Sequence, residues 1–379
     1  MERKIRKIKE PTFNEKVAFL KKNKGEYKAG NLACVWSEPT IDLKAKYHYN
    51  GKRRLGYKIF FRTPYTPKLE DFKWKERHGH NLIESTNIQN LFWLEGMAPR
   101  VLDIIKFESS TRLYWAQVTE LMEDDEQTSW TNKSLERATK LMKEKHIFLK
   151  HRDMGPFHCY GNYFVDFGDY YFGPNYKQGL IDRIKKEAPF GKTDKAYQSV
   201  PELKLVGQRN LKKRLEVLDF DKTDFRGKTV LVYGCNAGAQ CREVAKRGAS
   251  KVVGLDIPSI TKISYELAFH LGFYNIDYYG GNFTHIKTGE VVYDKVRQLT
   301  AIEKFDIVLF LSCMQMGWIV YVKKICKEVF YFEGHKTEKR EKYEALLKSV
   351  FPRVEYLGQT KDDNSRPAFR CLMNKNGQK

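Results

Sequence analysis

The second half of the chain alternates short apolar runs with stretches of helical length. From Gly227 onward the apolar runs are KTVLVYG, SKVVGLD, NIDYYGGN, KFDIVLFLS and KEVFYFEG. Nearly continuous apolar runs of this length are typical of strands that are buried on both faces, and the segments between them are long enough for helices. This alternation predicts an α/β fold in which helices cover both faces of a parallel sheet.

Two further strand-like runs follow the last predicted helix. They are VEYLGQT and AFRCLM, joined by KDDNSRP, and a connection this short predicts a hairpin. The final strand would then run antiparallel to the others. We therefore expect a doubly wound, mostly parallel sheet of seven strands with a terminal antiparallel hairpin.

The first half has a different pattern. Residues 1–125 contain shorter, aromatic-rich strands such as YKIFF and RLYWAQVTELM around one helix, and residues 133–148 form a second helix. Glycine and proline residues between 173 and 205 predict a connecting segment. We expect three parts, which are a smaller α+β domain over 1–190, a linker and lead-in helix over 191–226, and the sheet domain over 227–379.

The composition of the chain bears on its partner, on metal binding and on its location. The net charge of +21 favours a polyanionic partner such as nucleic acid or a phosphorylated glycan, although evenly spread lysines could reflect composition alone. The seven cysteines are scattered, with neither a CxxC pair nor a Cys/His cluster, which argues against a zinc site. No apolar stretch is long enough to span a membrane and the basic start lacks the features of a signal peptide, so we expect a cytoplasmic protein.

The first strand of the sheet domain ends in a glycine-containing turn that leads directly into a helix. Glycines there let the backbone approach a ligand, and helix N-terminal N–H groups face that ligand. The second strand ends at Asp256, where a carboxylate can accept hydrogen bonds from both hydroxyls of a ribose. The candidate binding residues at these two strand ends are Tyr233, Gly234, Cys235, Asn236, Gly238, Asp256 and Ile257.

Over residues 208–373 this layout resembles the class I, Rossmann-like S-adenosylmethionine-dependent methyltransferases. VLVYGCNAG stands at the family's first glycine motif, Asp256 at its ribose-binding acid and FDIVLFLSCM at its fourth-strand motif. The resemblance implies S-adenosylmethionine as the cofactor. Where the family often has an acidic residue for the adenine amino group, this chain has Asn282, whose amide can still meet the adenine edge. Further cofactor candidates are Phe283, Ser312 and, in the lead-in segment, Gln208 and Arg209.

The acceptor side of such a site is expected at the ends of the fourth and fifth strands. Methyl transfer to oxygen or nitrogen needs alignment of the acceptor and usually removal of a proton. Glu333 and His335 follow the fifth strand, and the near-neutral intrinsic pKa of histidine makes His335 the better candidate base. A loop hydrogen-bonding role for His335 is equally open.

The first half contains HRDMGPFHCYGNYFVDFGD, in which HRD is followed by DFG. This order resembles protein kinases, and the resemblance implies Asp153 as the base and Asp166 as the magnesium ligand. His158 stands where kinases have a metal-binding asparagine. The residues between could form a hairpin across Gly161-Asn162.

Two upstream residues fall in the matching order. Lys58 lies on a strand, like the kinase lysine that contacts the phosphates of ATP, and Glu84 lies in the next helix, like its ion-pair partner. The resemblance implies ATP and Mg²⁺ as ligands, for either an active kinase or a domain without activity. A kinase-like domain joined to a methyltransferase is similar to the bifunctional enzymes that phosphorylate and then methylate the end of bacterial O-antigen chains, although their domain order is reversed.

Together these features predict a methyltransferase that acts on an oxygen or nitrogen acceptor, with a phosphorylated glycan as one acceptor class, and that carries a kinase-like accessory domain. Two alternatives stay open. One is an RNA or DNA methyltransferase whose basic first half is a nucleic-acid platform. The other is a catalytically inactive binding scaffold.

Overall fold

The computed structural model describes residues 26–29, 33–37, 42–60, 82–108, 113–122, 132–149, 159–160, 163–164, 167, 170–189, 193–281, 289–311, 318–335, 339–361 and 365–373. Every structural statement below concerns these residues. The chain divides into two units, of which the first comprises Met1–Lys46 and Gly51–Tyr176 and the second Tyr47–Asn50 and Lys177–Lys379.

The first unit is built on a five-stranded antiparallel sheet with the strand order β1-β2-β3-β5-β4. Two small antiparallel pairs, β6–β9 and β7–β8, follow in the chain. The strands of this unit are β1 (Glu26–Ala29), β2 (Ala33–Ser37), β3 (Leu55–Phe60), β4 (Val101–Glu108), β5 (Leu113–Glu120), β6 (Ile147–Leu149), β7 (Cys159–Tyr160), β8 (Tyr163–Phe164) and β9 (Tyr170–Phe172). Its helices are α1 (Leu43–Lys46), α2 (Leu82–Leu94) and α3 (Asn132–Glu144).

Helix α2 carries six polar residues among its thirteen and is buried along most of its length. Buried polar side chains need hydrogen-bond partners, and the neighbouring strands supply them. The Asn90 amide donates to the Val101 carbonyl (3.0 Å) and accepts from the Val101 N–H (2.8 Å). Gln117 on β5 donates to the Thr86 hydroxyl (2.6 Å). These bonds fix α2 against the sheet and explain why its sequence shows no amphipathic pattern.

The predicted hairpin before DFG is confirmed, because Cys159 pairs with Phe164 and Tyr160 with Tyr163. Phe167, the central residue of DFG, is buried against Phe92 of α2, with ring centroids 5.0 Å apart. Edge-to-face aromatic contacts of this kind add stabilisation beyond the buried area. The segment is therefore anchored to the helix that carries Glu84.

The second unit is organised around one sheet with the strand order β14-β13-β12-β15-β16-β18-β17. The first five of these strands are parallel, and β18 runs antiparallel to both β16 and β17. The strands are β10 (Ala196–Gln198), β11 (Gly207–Arg209), β12 (Thr229–Tyr233), β13 (Lys251–Asp256), β14 (Ile276–Gly280), β15 (Phe305–Leu311), β16 (Cys326–Glu333), β17 (Arg353–Gln359) and β18 (Pro367–Leu372). The helices are α4 (Tyr176–Glu187), α5 (Leu211–Leu218), α6 (Ala239–Lys246), α7 (Pro258–His270), α8 (Gly289–Thr300), α9 (Ile319–Ile325) and α10 (Arg340–Val350).

The mostly parallel α/β sheet predicted from the apolar runs is confirmed. Every residue of β12 is buried, as expected for a central strand covered on both faces. β12 lies between β13 and β15, so the chain order reverses on either side of it. Ligands of open α/β sheets bind beyond the carboxyl ends of the strands at such a reversal point.

The segment expected as a linker contains a short parallel pair, β10 with β11, that belongs to the second unit. A Cβ at Gly207 would overlap the backbone of Gln198, so glycine is required where the two strands approach. Ser199 continues the pairing, since its N–H donates to the Arg209 carbonyl (3.1 Å). Among the described residues, the helices are too short or too polar to cross a bilayer.

Candidate cofactor and acceptor site

The turn after β12 has three residues with positive φ angles. Gly234 has φ +65°, Asn236 +49° and Gly238 +73°. Glycine adopts such angles without strain, and asparagine is among the side chains that tolerate them best. The turn is held by the Gly238 N–H, which donates to the Cys235 carbonyl (2.9 Å), and by the Cys235 N–H, which donates to Leu255 at the end of β13 (3.1 Å). Its conformation is thus fixed before any ligand binds.

Gly238 has a second reason to be glycine. A Cβ at this position would overlap the hydroxyl of Tyr278 on β14. We expected the glycines of this turn to leave room for a ligand, but at Gly238 the space is taken by a buried tyrosine of the protein itself. Helix α6 begins directly after this contact.

Asp256 lies at the carboxyl end of β13 and faces this turn. Its Oδ2 accepts from the Asn236 N–H (2.7 Å) and its Oδ1 from the Ile257 N–H (2.8 Å). Burial raises the pKa of the Asp256 carboxyl, while these two backbone donors oppose the shift. An ionised carboxylate has about four lone-pair sites, so acceptor capacity remains for a ligand.

Asn236 adds a further acceptor to the same place. Its Oδ1 is buried and has no hydrogen-bond donor among the described residues. Buried acceptors without a donor are rare and call for an explanation. The ribose hydroxyls and the amino groups of S-adenosylmethionine are donors, so Asp256 and Asn236 fit that cofactor.

Side chains elsewhere in the turn point into the core. Tyr233 is buried and stacks on Phe310 of β15, with centroids 5.0 Å apart. Cys235 is fully buried, and burial raises the pKa of its thiol well above the usual range. Only the backbone of these two residues can therefore face a ligand. Ile257 is partly exposed beside Asp256.

Gln198 of the lead-in segment reaches the first turn of α6. Its Oε1 accepts from the Ala239 N–H (3.1 Å), and its Nε2 donates to the Gln240 side chain (3.0 Å). The N–H of Ala239 is thus satisfied by the protein and is not available to a ligand. Sequence reasoning missed Gln198, and a glutamine 41 residues before its helix partner carries no local signal.

The carboxyl end of β16 holds a buried charged cluster. The carboxylate of Glu333 is 0% exposed and receives one guanidinium donor on each oxygen, from Arg209 and Arg214. Burial alone raises the pKa of Glu333, but the charges of Arg214 and Arg209 outweigh it and hold the pKa below its ordinary range. Glu333 and Arg209 are therefore paired with each other here. The role of Glu333 in acceptor chemistry and that of Arg209 in cofactor binding stay predictions.

The residues that follow Glu333 are also held in place. A Cβ at Gly334 would overlap the ring of Tyr343 on α10. The Tyr343 hydroxyl accepts from the His335 N–H (2.8 Å), and the Gly334 N–H donates to the Pro367 carbonyl (2.9 Å). This packing positions His335 at the strand end, where its role as a base stays a prediction.

The structure thus brings the predicted residues into two groups along one edge of the sheet, one at β12 and β13 and one at β16. Gln208 lies half-buried on β11, next to Arg209. The predicted residues Asn282, Phe283, Ser312, Asp153 and Asp166 lie outside the described residues.

The two kinase-like candidates of the first unit are placed on its sheet and helix. Lys58 lies on β3, opposite Gln117 of β5. Glu84 lies in the first turn of α2, and its Oε1 accepts from the Phe172 N–H of β9 (2.8 Å). Glu84 therefore ties the helix to the strand that follows DFG in the chain.

No protein-family model matches the chain, and no curated protein sequence matches it. Solved structures match it in part, and several of them are S-adenosylmethionine-dependent methyltransferases. A crystal structure of WbdD, which another structure describes as a bifunctional kinase-methyltransferase, is 18% identical over 48% of this chain and 45% of its own, with a TM-score of 0.37.

Two other structures illustrate the same likeness. A putative methyltransferase from Streptococcus mutans is 15% identical over 44% of this chain and 50% of its own, with a TM-score of 0.34. The N-terminal domain of EvdMO1, solved with SAH and D-fucose, is 12% identical over 52% of this chain and 97% of its own, with a TM-score of 0.36. The chain spans about half the length of WbdD and of the Streptococcus mutans protein.

Proposed function

We propose that the second unit is an S-adenosylmethionine-dependent methyltransferase that acts on an oxygen or nitrogen acceptor. The observation that carries this proposal is the pairing of Asp256 with the turn after β12. One carboxylate, bound to the N–H of Asn236, and one unsatisfied amide oxygen converge at the reversal point of the sheet. Both are acceptors, as the hydroxyl and amino groups of the cofactor require.

The residues of the chain would divide the work between the two groups on the sheet edge. Asp256 and Asn236 would hold the cofactor, which supplies an electrophilic methyl group when bound. His335, fixed by Tyr343 at the neighbouring strand end, would take the proton of the acceptor. Such alignment of acceptor and donor contributes a large part of the rate in group transfer.

Calorimetric titration with S-adenosylmethionine tests this proposal. We expect micromolar affinity, which corresponds to about −8 kcal/mol, and a loss of about 2 kcal/mol in Asp256→Ala because ribose hydroxyls would lose a buried partner. Asp224→Ala is the matched control, since Asp224 is exposed and pairs with Arg226. Equal affinity in the wild type and Asp256→Ala would contradict the assignment.

We also propose that the first unit is a reduced kinase-like domain that binds ATP with Mg²⁺. Three features support it: a lysine on the third strand, a glutamate on the helix that follows, and a minimal hairpin directly before DFG. Contact of Phe167 with the helix that carries Glu84 also fits this arrangement. Binding is the appropriate readout, because His158 replaces the asparagine that kinases use for metal.

Equilibrium binding of ATP in the presence of Mg²⁺ tests the kinase-like proposal. We expect Lys58→Ala to weaken binding and Lys52→Ala, a change at an exposed lysine just before β3, to leave it unchanged. An equal effect of the two substitutions would remove the support that Lys58 gives. If ATP does not stay bound to the wild-type protein during chromatography, the assignment of the first unit as a kinase-like domain would be contradicted.

We propose a polyanionic acceptor, with a phosphorylated glycan as the class. The net charge of +21 supports it. Affinity for a phosphorylated glycan and for RNA should be compared between 50 and 200 mM salt, roughly the range over which phosphate-binding proteins lose most affinity. Tighter binding of RNA would favour the nucleic-acid alternative, and a flat salt response would contradict a polyanion surface.

A further inference from the structure

Arg366 has a buried guanidinium, two nitrogens of which have no hydrogen-bond partner among the described residues. The residue is 5% exposed, and its Nε and Nη1 make no hydrogen bond among the described residues. Its backbone is fixed, because its N–H donates to the Thr360 hydroxyl (3.0 Å) and its carbonyl accepts from the Thr360 N–H (2.9 Å). The side chain therefore extends from a rigid position just before β18.

This position is at the acceptor side of the proposed active site. Ala368 on β18 is the register partner of Glu333 on β16, and Arg366 precedes Ala368 by two residues. The hydrogen bond from the Gly334 N–H to the Pro367 carbonyl extends the pairing of β16 with β18 one residue beyond Glu333. Arg366 thus lies beside the segment that carries His335.

The surroundings of Arg366 contain an excess of positive charge. Its guanidinium interacts electrostatically with Arg209, Arg214, Glu333 and Tyr197. Three arginines thus share a single carboxylate, and both oxygens of that carboxylate are already bound to the other two. Burial lowers the pKa of Arg366, but a guanidinium remains charged in proteins.

A buried cation without a partner is costly to the folded state. Desolvation has already occurred here, so an anion that reaches the guanidinium would gain a charge-assisted hydrogen bond without further loss of solvation at Arg366. The unsatisfied Nε and Nη1 lie on opposite sides of the planar guanidinium, so each can donate a separate charge-assisted hydrogen bond to an oxygen of a phosphate or carboxylate. These donors are therefore complementary to an oxyanion in charge and in hydrogen-bond type.

We infer that Arg366 forms an oxyanion subsite that receives a phosphate or carboxylate group of the methyl acceptor. The inference rests on the proposed methyltransferase function. The carboxylate of the cofactor is a less suitable occupant, because Arg366 directly precedes β18, which lies three strands from β12 in the sheet, or about 14 Å. The subsite would anchor the acceptor with its reactive group near His335.

Inorganic phosphate is the probe for this subsite. We expect phosphate, at constant ionic strength set with sodium chloride, to raise the thermal midpoint of the full-length chain, as a ligand of the native state does. Arg366→Gln should weaken phosphate binding at least about tenfold, the loss expected for one charge-assisted hydrogen bond. Arg370→Gln is the matched control on β18, because Arg370 is already paired with Glu355.

Stability without phosphate gives a second readout. If Arg366 is an unpartnered cation, Arg366→Gln and Arg366→Met should be at least as stable as the wild type in chloride, whereas a purely structural arginine would be destabilised by either change. Lower stability of both variants, or equal phosphate binding by Arg366→Gln and the wild type, would overturn the inference.

Titration with S-adenosylmethionine separates this inference from the function on which it rests. If the cofactor binds and phosphate does not, the subsite is refuted and the methyltransferase proposal stands. If phosphate binds at Arg366 and the cofactor does not bind, the methyltransferase proposal fails. Loss of cofactor affinity in Arg366→Gln would identify the anion as the cofactor carboxylate and overturn the assignment to the acceptor.

Discussion

The two groups of predicted residues on the sheet edge differ in the polar atoms that they leave unsatisfied. Among the described residues, an unsatisfied acceptor, Asn236 Oδ1, lies beside the Asp256 carboxylate at the ends of β12 and β13, where the Tyr278 hydroxyl and Arg242 Nε are also unsatisfied. At the end of β16 the unsatisfied buried atoms of the described residues are donors, Nε of Arg214 and both Nε and Nη1 of Arg366. The first group suits a ligand rich in hydroxyl and amino groups, and the second suits an anion.

The two groups also differ in what holds them. The turn after β12 depends on backbone conformation and on close packing, as at Gly238 against Tyr278. The group at β16 depends on charges drawn from distant parts of the chain, since Arg209 and Glu333 are 124 residues apart. Substitutions should therefore damage the two groups in different ways, and the following predictions are designed to separate them.

The largest effect is expected at Glu333. Glu333→Gln leaves Arg209 and Arg214 buried without a countercharge, so we expect the free energy of unfolding of the second unit to fall by about 3–5 kcal/mol. Glu328→Gln on the same strand removes a part-exposed pair with Lys228 and should cost about 1 kcal/mol or less. Chemical denaturation of both variants tests this, and equal losses would mean that the buried cluster contributes no more than a surface pair.

Lowering the pH should weaken the same interaction of Glu333 with the two arginines. The pKa of Glu333 is lower in the folded protein than its unfolded value of about 4.3. Its contribution is therefore fully present above that value and is lost as the pH falls through the folded pKa. We expect the stability difference between wild type and Glu333→Gln to shrink at pH below about 4, and a constant difference down to pH 2 would contradict the assignment.

An intermediate effect is expected at Gly238. Gly238→Ala and Gly272→Ala both place a side chain at a positive φ angle, but only residue 238 has an atom within contact distance. The positive φ angle should lower the free energy of unfolding by about 1–2 kcal/mol in each variant. Gly238→Ala should lower it further, because its Cβ overlaps the Tyr278 hydroxyl. Thermal denaturation tests this, with Gly238→Ala/Tyr278→Phe as the variant that should recover part of the difference. Equal losses at the two glycines would show that the tyrosine imposes no constraint.

The smallest effect is expected at Gln198. Gln198→Ala removes the side-chain acceptor of the Ala239 N–H, and loss of a helix cap costs about 1 kcal/mol. The variant should also bind S-adenosylmethionine more weakly, because the turn before α6 loses a support. Gln178→Ala on α4, a change at an exposed glutamine that bonds Asp182 of the same helix, is the comparison variant in calorimetry. Unchanged stability together with unchanged affinity would show that the lead-in segment does not position the turn.

Local patterns predicted the part of the site that is built from consecutive residues. Apolar runs located the strands, and the turn from Gly234 to Gly238 followed from the end of one of them. Asp256 followed from the end of the next. These inferences work because strand ends and turns depend on neighbours in the chain.

Long-range contacts were not accessible in the same way. Nothing near Glu333 indicates that Arg209 and Arg214 enclose it, and nothing near Gly238 indicates that Tyr278 takes the space beside it. Arg366 is one basic residue among 68, and only its burial together with two unsatisfied nitrogens distinguishes it among the described arginines. Side-chain partners of this kind follow from tertiary packing.

The pair of β10 with β11 has a consequence for how the chain is made. Arg209 leaves the ribosome long before Glu333, which comes 124 residues later, or roughly 6–25 s at typical synthesis rates. During that interval the cationic lead-in has no carboxylate at its native position and must stay in water or with a chaperone. The buried pair between Arg209 and Glu333 can therefore form only after β16 has been synthesised.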